Sequence, residues 1–253
     1  MGKTTEPIVE IRGFRMVFGD KTVIKDLSFE VRRGEVFGFL GSNGSGKTTT
    51  LRTLLGLYEP TAGELLVDGK PFTVDGGIGL GYLPEERGLY KKESVLDVML
   101  YFGRLKGLSK DEARRFSLAY LERVKLADKA STRLDKLSGG QQQKVQLGVT
   151  IMGDPELLIL DEPTKGFDPV NRRLLMSIIE ERRAAGATII FVTHQMDEAE
   201  RLCDRIALLK DGQLAEYGTV AEVRAKHNGK SLDDIFVALY GGAETEGDDE
   251  HDA

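Results

Sequence analysis

Eight consecutive residues, Gly41-Ser42-Asn43-Gly44-Ser45-Gly46-Lys47-Thr48, fit the pattern G-x-x-x-x-G-K-[ST]. The apolar run Val36-Phe37-Gly38-Phe39-Leu40 precedes them. Leu51, Leu54 and Leu55 follow at spacings that put them on one face of a helix. A strand, a glycine-rich turn and a helix opening at about Lys47 are therefore expected in that order. The chemistry explains the residue types. Glycines let successive backbone N–H groups turn inward toward phosphate oxygens, and a helix N-terminus adds positive potential. Lys47 places a cation on the outer phosphates of a nucleotide, and the Thr48 hydroxyl is an expected ligand of Mg²⁺. Gly41 to Gly46, Lys47, Thr48 and Thr49 are thus the candidate ATP-binding loop.

The rest of the chain supplies a sheet to carry that loop. Val23, Leu27, Phe29 and Val31 fall mostly at period two, and Asp68-Gly69 after Leu65-Leu66-Val67 is a hairpin signal. From about Val95 to Leu126 the apolar period becomes helical, and Ser109 with Glu112 reads as a capping box. Strands are expected at 157–161, 188–192, 205–209 and, after Asp211-Gly212, 213–217. Helices are expected at about Pro169 to Arg183 and 197–202. Strands alternating with helices predict an α/β fold with a mostly parallel sheet core, an antiparallel β subdomain and a helical insertion. The expected organisation is one domain over 1–240. Its catalytic core takes about 1–87 and 150–225, its insertion about 88–149, and a C-terminal helical appendage about 226–240. Residues 241–253 are expected to be a disordered tail, with six acids between 243 and 253.

Composition narrows the function classes. A net charge of −6 argues against a general nucleic-acid binder. The single cysteine, Cys203, excludes an internal disulfide, fits a reducing compartment and reads as a small filler on a helix. No apolar run reaches the length of a membrane span, and the first residues lack the apolar core of a signal peptide. A cytoplasmic protein is expected, peripheral to a membrane if it acts there.

Leu157-Leu158-Ile159-Leu160-Asp161-Glu162 is an apolar strand that ends in two carboxylates. Ligands of open α/β sheets sit at that edge. Asp161 is the expected holder of the Mg²⁺ shell, and Glu162 the expected acceptor of the attacking water's proton.

Leu137-Ser138-Gly139-Gly140-Gln141 opens a helix with Ser138 as a natural N-cap. As a string, placed between the loop and the acidic strand, it resembles the signature of the ATP-binding cassette (ABC) ATPases. Thr193-His194 resembles that family's switch histidine, and Gly166-Phe167-Asp168-Pro169 its D-loop. Phe18 stands where the family places an aromatic that stacks on adenine. The resemblance implies a P-loop NTPase fold of the ABC type, ATP and Mg²⁺ as cofactors, and catalytic roles for Glu162 and His194. It also implies a homodimer or heterodimer with a second ABC ATPase chain. Ser138, Gly139, Gly140 and Gln141 of one chain would close over the ATP of the other, and the D-loop Asp168 is in place.

Two departures accompany the resemblance. The family's Q-loop glutamine is replaced by Glu85, which either ligates Mg²⁺ or points to solvent. Lys165 and Phe167 stand where a small polar residue and leucine are commoner. Gly81 to Tyr90, Glu198 to Arg205 and Ser231 to Phe236 are similar to the subunits of sodium- and drug-extruding exporters. That similarity implies an integral membrane permease as partner. Leu89, Tyr90 and the helix from Val95 either line the groove that receives it or only pack the insertion. The rival expectations are a soluble ABC ATPase acting on ribosomes or DNA, and an ATP-dependent switch with weak hydrolysis.

Overall fold

The computed structural model describes residues 6–73, 78–86 and 88–241. The acidic tail lies outside them, apart from Gly241. The chain forms two compact units, Met1–Gly76 with Phe191–Ala253, and Gly77–Ile190.

In the first unit, β1 (Pro7–Phe18) pairs antiparallel with β2 (Lys21–Arg32) on one side and β4 (Ala62–Val67) on the other. β3 (Val36–Leu40) runs parallel to β8 (Arg205–Lys210), which turns through Asp211-Gly212 into β9 (Gln213–Thr219). The order is β4-β1-β2-β9-β8-β3. Asp211 and Gly212 take φ of 50° and 72°, as a two-residue hairpin turn with strand-matching twist requires. Gly212 is also required by contact, because a Cβ there would lie 2.2 Å from the Val23 carbonyl oxygen. β3 is buried at all five positions, which explains its unbroken apolar run. The helices of this unit are α1 (Lys47–Leu54), α6 (Met196–Leu202), α7 (Val220–Lys226) and α8 (Leu232–Tyr240).

In the second unit, β5 (Leu80–Leu83) lies parallel to β6 (Leu157–Asp161), from Leu80 opposite Leu157 to Leu83 opposite Leu160. Between them the chain is helical: α2 (Val95–Leu105), α3 (Lys110–Arg123) and α4 (Gly139–Ile151). α5 (Pro169–Ala184) follows β6, and β7 (Thr188–Thr193) carries the chain back into the first unit. α3 and α4 meet closely at Gly148, where a Cβ would stand 2.4 Å from the Tyr120 ring. The buried Tyr120 hydroxyl donates to the Lys144 carbonyl at 2.7 Å. Ser109 and Glu112 form the expected capping box of α3.

Local details correct the sequence reading. On β2 the buried residue is Ile24 and Val23 is only half-buried, because the pairing steps two residues on β1 (Phe14 to Met16) against three on β2 (Leu27 to Ile24). The extra residue is a bulge, and it flips the inward parity. Asp68-Gly69 does make a turn, with Val67 bridged to Lys70, but Pro71 follows at once and the described residues 71–73 form no strand. Leu55 is the C-cap of α1 and not part of its buried face. Cys203 is buried one residue past the end of α6. A Cβ on Gly38 would stand 2.9 Å from its sulfur, so the thiol fills the space that this glycine leaves.

Candidate active site

The phosphate loop leaves β3 and enters α1 through three glycines in left-handed or extended-left conformations: φ is 150° at Gly41, 80° at Gly44 and 110° at Gly46. Gly41 is also required by contact with main chain, and Gly46 closely faces a side-chain tip. A Cβ on Gly41 would lie 2.5 Å from the Leu209 carbonyl oxygen, and one on Gly46 would lie 2.3 Å from Ile24 Cδ1. Gly46 is the N-cap of α1, which has no side-chain cap and no acid in its first turn. The helix end thus presents backbone donors and positive potential, which suits an anion. Lys47 is buried, and its Nζ donates to the carbonyls of Gly41 at 2.7 Å and Ser42 at 2.9 Å. The ammonium is thereby folded back over the loop. Ser45 Oγ is buried with no hydrogen-bond partner among the described residues. An orphaned hydroxyl, a bare helix N-terminus and a lysine over the same turn fit a polyphosphate.

Two other expected residues belong to this unit. Phe18 ends β1, 44% exposed, and meets the Tyr58 ring edge-on at 5.5 Å. Its exposure fits an aromatic platform for a base. His194 is exposed just past the buried β7, and Thr193 Oγ1 accepts the Gln195 N–H at 3.0 Å, which shapes the turn.

One contact with the loop was not legible beforehand. The Tyr240 hydroxyl, at the end of α8, donates to the Leu209 carbonyl and accepts the Ser42 N–H at 3.4 Å. The Tyr240 ring stacks on Phe236 with centroids 4.2 Å apart. Burial pushes the phenol pKa up. The C-terminal helix therefore braces the strand-to-loop corner, and no motif marks a tyrosine some 200 residues downstream for that task.

The second unit holds the remaining candidates. Asp161 and Glu162 are both buried at the end of the fully buried β6. Glu162 has φ 48°. Among the described residues, the other non-glycine residues of positive φ are Asp68, Asp154, Asp211, Asn228 and Lys125, of which only Lys125 is neither Asp nor Asn. A glutamate in that region costs roughly 1–3 kcal/mol and marks an imposed orientation. The turn is closed by Lys165 N–H to the Glu162 carbonyl (3.1 Å) and Phe167 N–H to the Thr164 carbonyl (2.9 Å). Asp168 then caps α5, accepting the Asn171 N–H through Oδ1 and the Asn171 Nδ2 through Oδ2, both at 2.8 Å, with Pro169 as first helical residue.

Ser138 caps α4 in a reciprocal box with Gln141, whose Oε1 accepts the Ser138 N–H at 2.9 Å. Gly140 is open on its Cβ side, where the nearest atom is Phe167 Cδ1 at 3.9 Å. Nothing within the unit requires a glycine there. α4 also reaches both flanking segments. Gln143 Nε2 donates to the Pro163 carbonyl at 2.9 Å, Gln146 Nε2 to the Glu86 carbonyl at 3.3 Å, and Thr150 Oγ1 to the Tyr82 carbonyl at 3.3 Å.

Glu85 is engaged by Lys165, whose Nζ donates to its Oε1 at 2.6 Å. That hydrogen bond, then the Glu85 charge and finally the Glu162 charge hold the Lys165 ammonium above the ordinary lysine range. Among the described residues no three His, Cys, Asp or Glu side chains gather as a metal cluster. The candidate metal ligands therefore divide between the units: Thr48 in the first, Glu85 and Asp161 in the second.

Comparison with known proteins identifies the class of chain. The model of the ABC transporter family matches residues 24–165. An uncharacterized ABC transporter ATP-binding protein of Methanocaldococcus jannaschii is 44% identical over 221 residues, 87% of this chain and 81% of that protein. The Nod factor export ATP-binding protein I of a Rhizobium species is 38% identical over 231 residues, covering 90% and 76%. A solved structure of an ATP binding subunit of an ABC transporter aligns with a TM-score of 0.84 at 31% identity, covering 92% of this chain and 99% of that one. The chain belongs to the ABC transporter family, as an ATP-binding subunit with the α/β P-loop fold of that class. It is an ATP hydrolase, and its cofactor is ATP. Subunits of this kind dimerise and work with membrane permeases. Among the described residues no helix is long and apolar enough to cross a membrane.

Proposed function

We propose that residues 1–240 form one ABC ATPase domain that hydrolyses ATP at the inner face of a membrane and drives export through a separate permease. The observation that carries the hydrolytic part is Glu162, a buried carboxylate fixed in a left-handed conformation at the end of β6. In this reading Glu162 accepts the proton of the attacking water, and His194 orients the outer phosphate. Lys47, the backbone donors of Gly41 to Thr49 and the Ser45 hydroxyl bind the phosphates, and Phe18 stacks on the base. Mg²⁺, when bound, neutralises charge on the phosphates. Thr48, Asp161 and Glu85 have the oxygen donors to hold it.

ATP is closed in by Ser138, Gly139, Gly140 and Gln141 of a second chain, identical or related. The vacant Cβ side of Gly140 supports such an approach, since glycine is otherwise unexplained there. Export is supported by the Nod factor relative. A permease docking surface is supported by Tyr90, 54% exposed, which packs against Tyr101 and Phe102 at centroid distances of 5.6 and 6.1 Å.

The test is Glu162→Gln. ATP binding persists, turnover falls by about 10²- to 10⁴-fold, and an ATP-bound dimer accumulates in size-exclusion chromatography. Wild-type turnover in this variant would remove Glu162 from the role of base.

A further inference from the structure

Glu162 is held in a conformation that its own place in the chain disfavours. Its φ is 48°, a region strained for any residue with a Cβ. It also precedes Pro163, and a proline ring pushes the residue before it toward extended backbone at negative φ. Such a conformation persists only where the surroundings impose it. Two restraints are internal to the turn: Lys165 N–H to the Glu162 carbonyl at 3.1 Å, and Phe167 N–H to the Thr164 carbonyl at 2.9 Å. Bonds within a turn fix its shape but leave open which way it faces.

That direction needs a tie to another element. Lys165 ties the turn to Glu85, but the pair is partly exposed, with side-chain accessibilities of 62% and 39%, and such pairs gain little. The second tie is Gln143 of α4, two residues beyond the run Leu137 to Gln141, whose Nε2 donates to the Pro163 carbonyl at 2.9 Å. Pro163 is buried and, as a proline, has no N–H, so this carbonyl is its whole share of main-chain hydrogen bonding. A buried carbonyl left without a donor costs about 1–3 kcal/mol, the same size as the strain on Glu162. Relaxing the turn away from α4 would therefore cost about as much as it released. α4 is itself a fixed post. Ser138 and Gln141 close its N-terminus, and Gln146 and Thr150, on the same face as Gln143, donate to the Glu86 and Tyr82 carbonyls, both at 3.3 Å.

We propose that Gln143 is a positioning residue for ATP hydrolysis: by holding the Pro163 carbonyl against α4, it keeps the Glu162 carboxylate in the orientation from which it takes the proton of the attacking water. The inference rests on the reading of Glu162 as the base given above. Without the bond the turn is free to relax, and a misplacement of about 1 Å at a reacting group costs up to about 10²-fold in rate.

The experiment uses the full chain and compares wild type, Gln143→Met, Glu162→Gln and the double variant, with Gln143→Leu as a second apolar replacement. Gln143→Met is expected to lower kcat by about ten- to hundredfold, while KM for ATP and the affinity for a non-hydrolysable analogue stay within about twofold of wild type. In the Glu162→Gln background the same change is expected to move turnover by less than about twofold, because the group it positions is already gone. An equal loss in both backgrounds, or wild-type turnover in both Gln143→Met and Gln143→Leu, overturns the proposal. So does a fall in analogue affinity that matches the fall in kcat, the mark of a general disturbance of the fold. The ATP-bound dimer of Glu162→Gln is expected to persist in the double variant on size-exclusion chromatography, and its loss would assign Gln143 to the dimer contact instead. Wild-type turnover in Glu162→Gln alone removes the base itself, whereas an equal Gln143→Met loss in both backgrounds leaves the base and removes only the positioning.

Discussion

The phosphate loop and the catalytic turn solve the same problem, the holding of a polar segment at the end of a buried strand, by opposite means. The loop is held by main chain. Its glycines occupy conformations that other residues avoid, its lysine donates to its own carbonyls, and its helix begins without a side-chain cap. The turn after β6, closed by two main-chain hydrogen bonds, is braced from outside by side chains. Asp168 closes α5, Ser138 and Gln141 close α4, Gln143 reaches Pro163, and Lys165 takes Glu85. A helix end with no cap keeps its donors for a ligand. The end of α5, capped by Asp168, spends them on holding a local shape. The first region is built to receive an anion, and the second to keep acids in place.

That contrast can be broken from either side. The largest effect is expected from Gly41→Ala, which adds a Cβ 2.5 Å from a main-chain oxygen at a φ of 150°. Strain and overpacking together predict about 3 kcal/mol lower stability by chemical denaturation, with ATP affinity reduced by more than about tenfold. A stable, tight-binding variant would show that the loop tolerates side chains after all. Asp168→Ala is expected to lower stability by about 1 kcal/mol through the lost cap of α5 and to leave ATP affinity of the isolated chain unchanged. A large fall in that affinity would mean that the turn shapes the phosphate site directly. The smallest effect is expected from Tyr240→Phe, which keeps the ring on Phe236 and deletes the hydroxyl between Leu209 and Ser42. A weakening of ATP binding of about two- to fivefold, with little change in turnover at saturation, is the signature of a brace. A drop in turnover alone would point elsewhere.

Much of the local backbone that carries the candidate site residues was legible before any coordinates. Lys47, Thr48, Asp161, Glu162 and Ser138 stand in runs whose spacing reports local backbone, and local backbone is what α1, β6 and α4 realise. Period-two reading failed where a bulge intervened, at Val23 and Ile24, because pairing with β1 and not the pattern within β2 sets the inward face. The hairpin signal at Asp68-Gly69 gave a turn, and the described residues 71–73 after it form no strand, since Pro71 offers no donor to a ladder.

The sequence by itself determined that this chain makes a strand, a glycine turn and a helix around Lys47, and that a second buried strand ends in Asp161 and Glu162. Those facts are local, fixed by residues within a few positions of one another. Only the tertiary structure decided that Glu85 and Lys165, 80 positions apart, meet at 2.6 Å, and that Tyr240 reaches Ser42 across 198. Long-range partners are chosen by how strands pair and helices pack, and single-chain spacing carries no record of that choice. The two departures from the family pattern therefore looked independent in the sequence, and folding made them one pair.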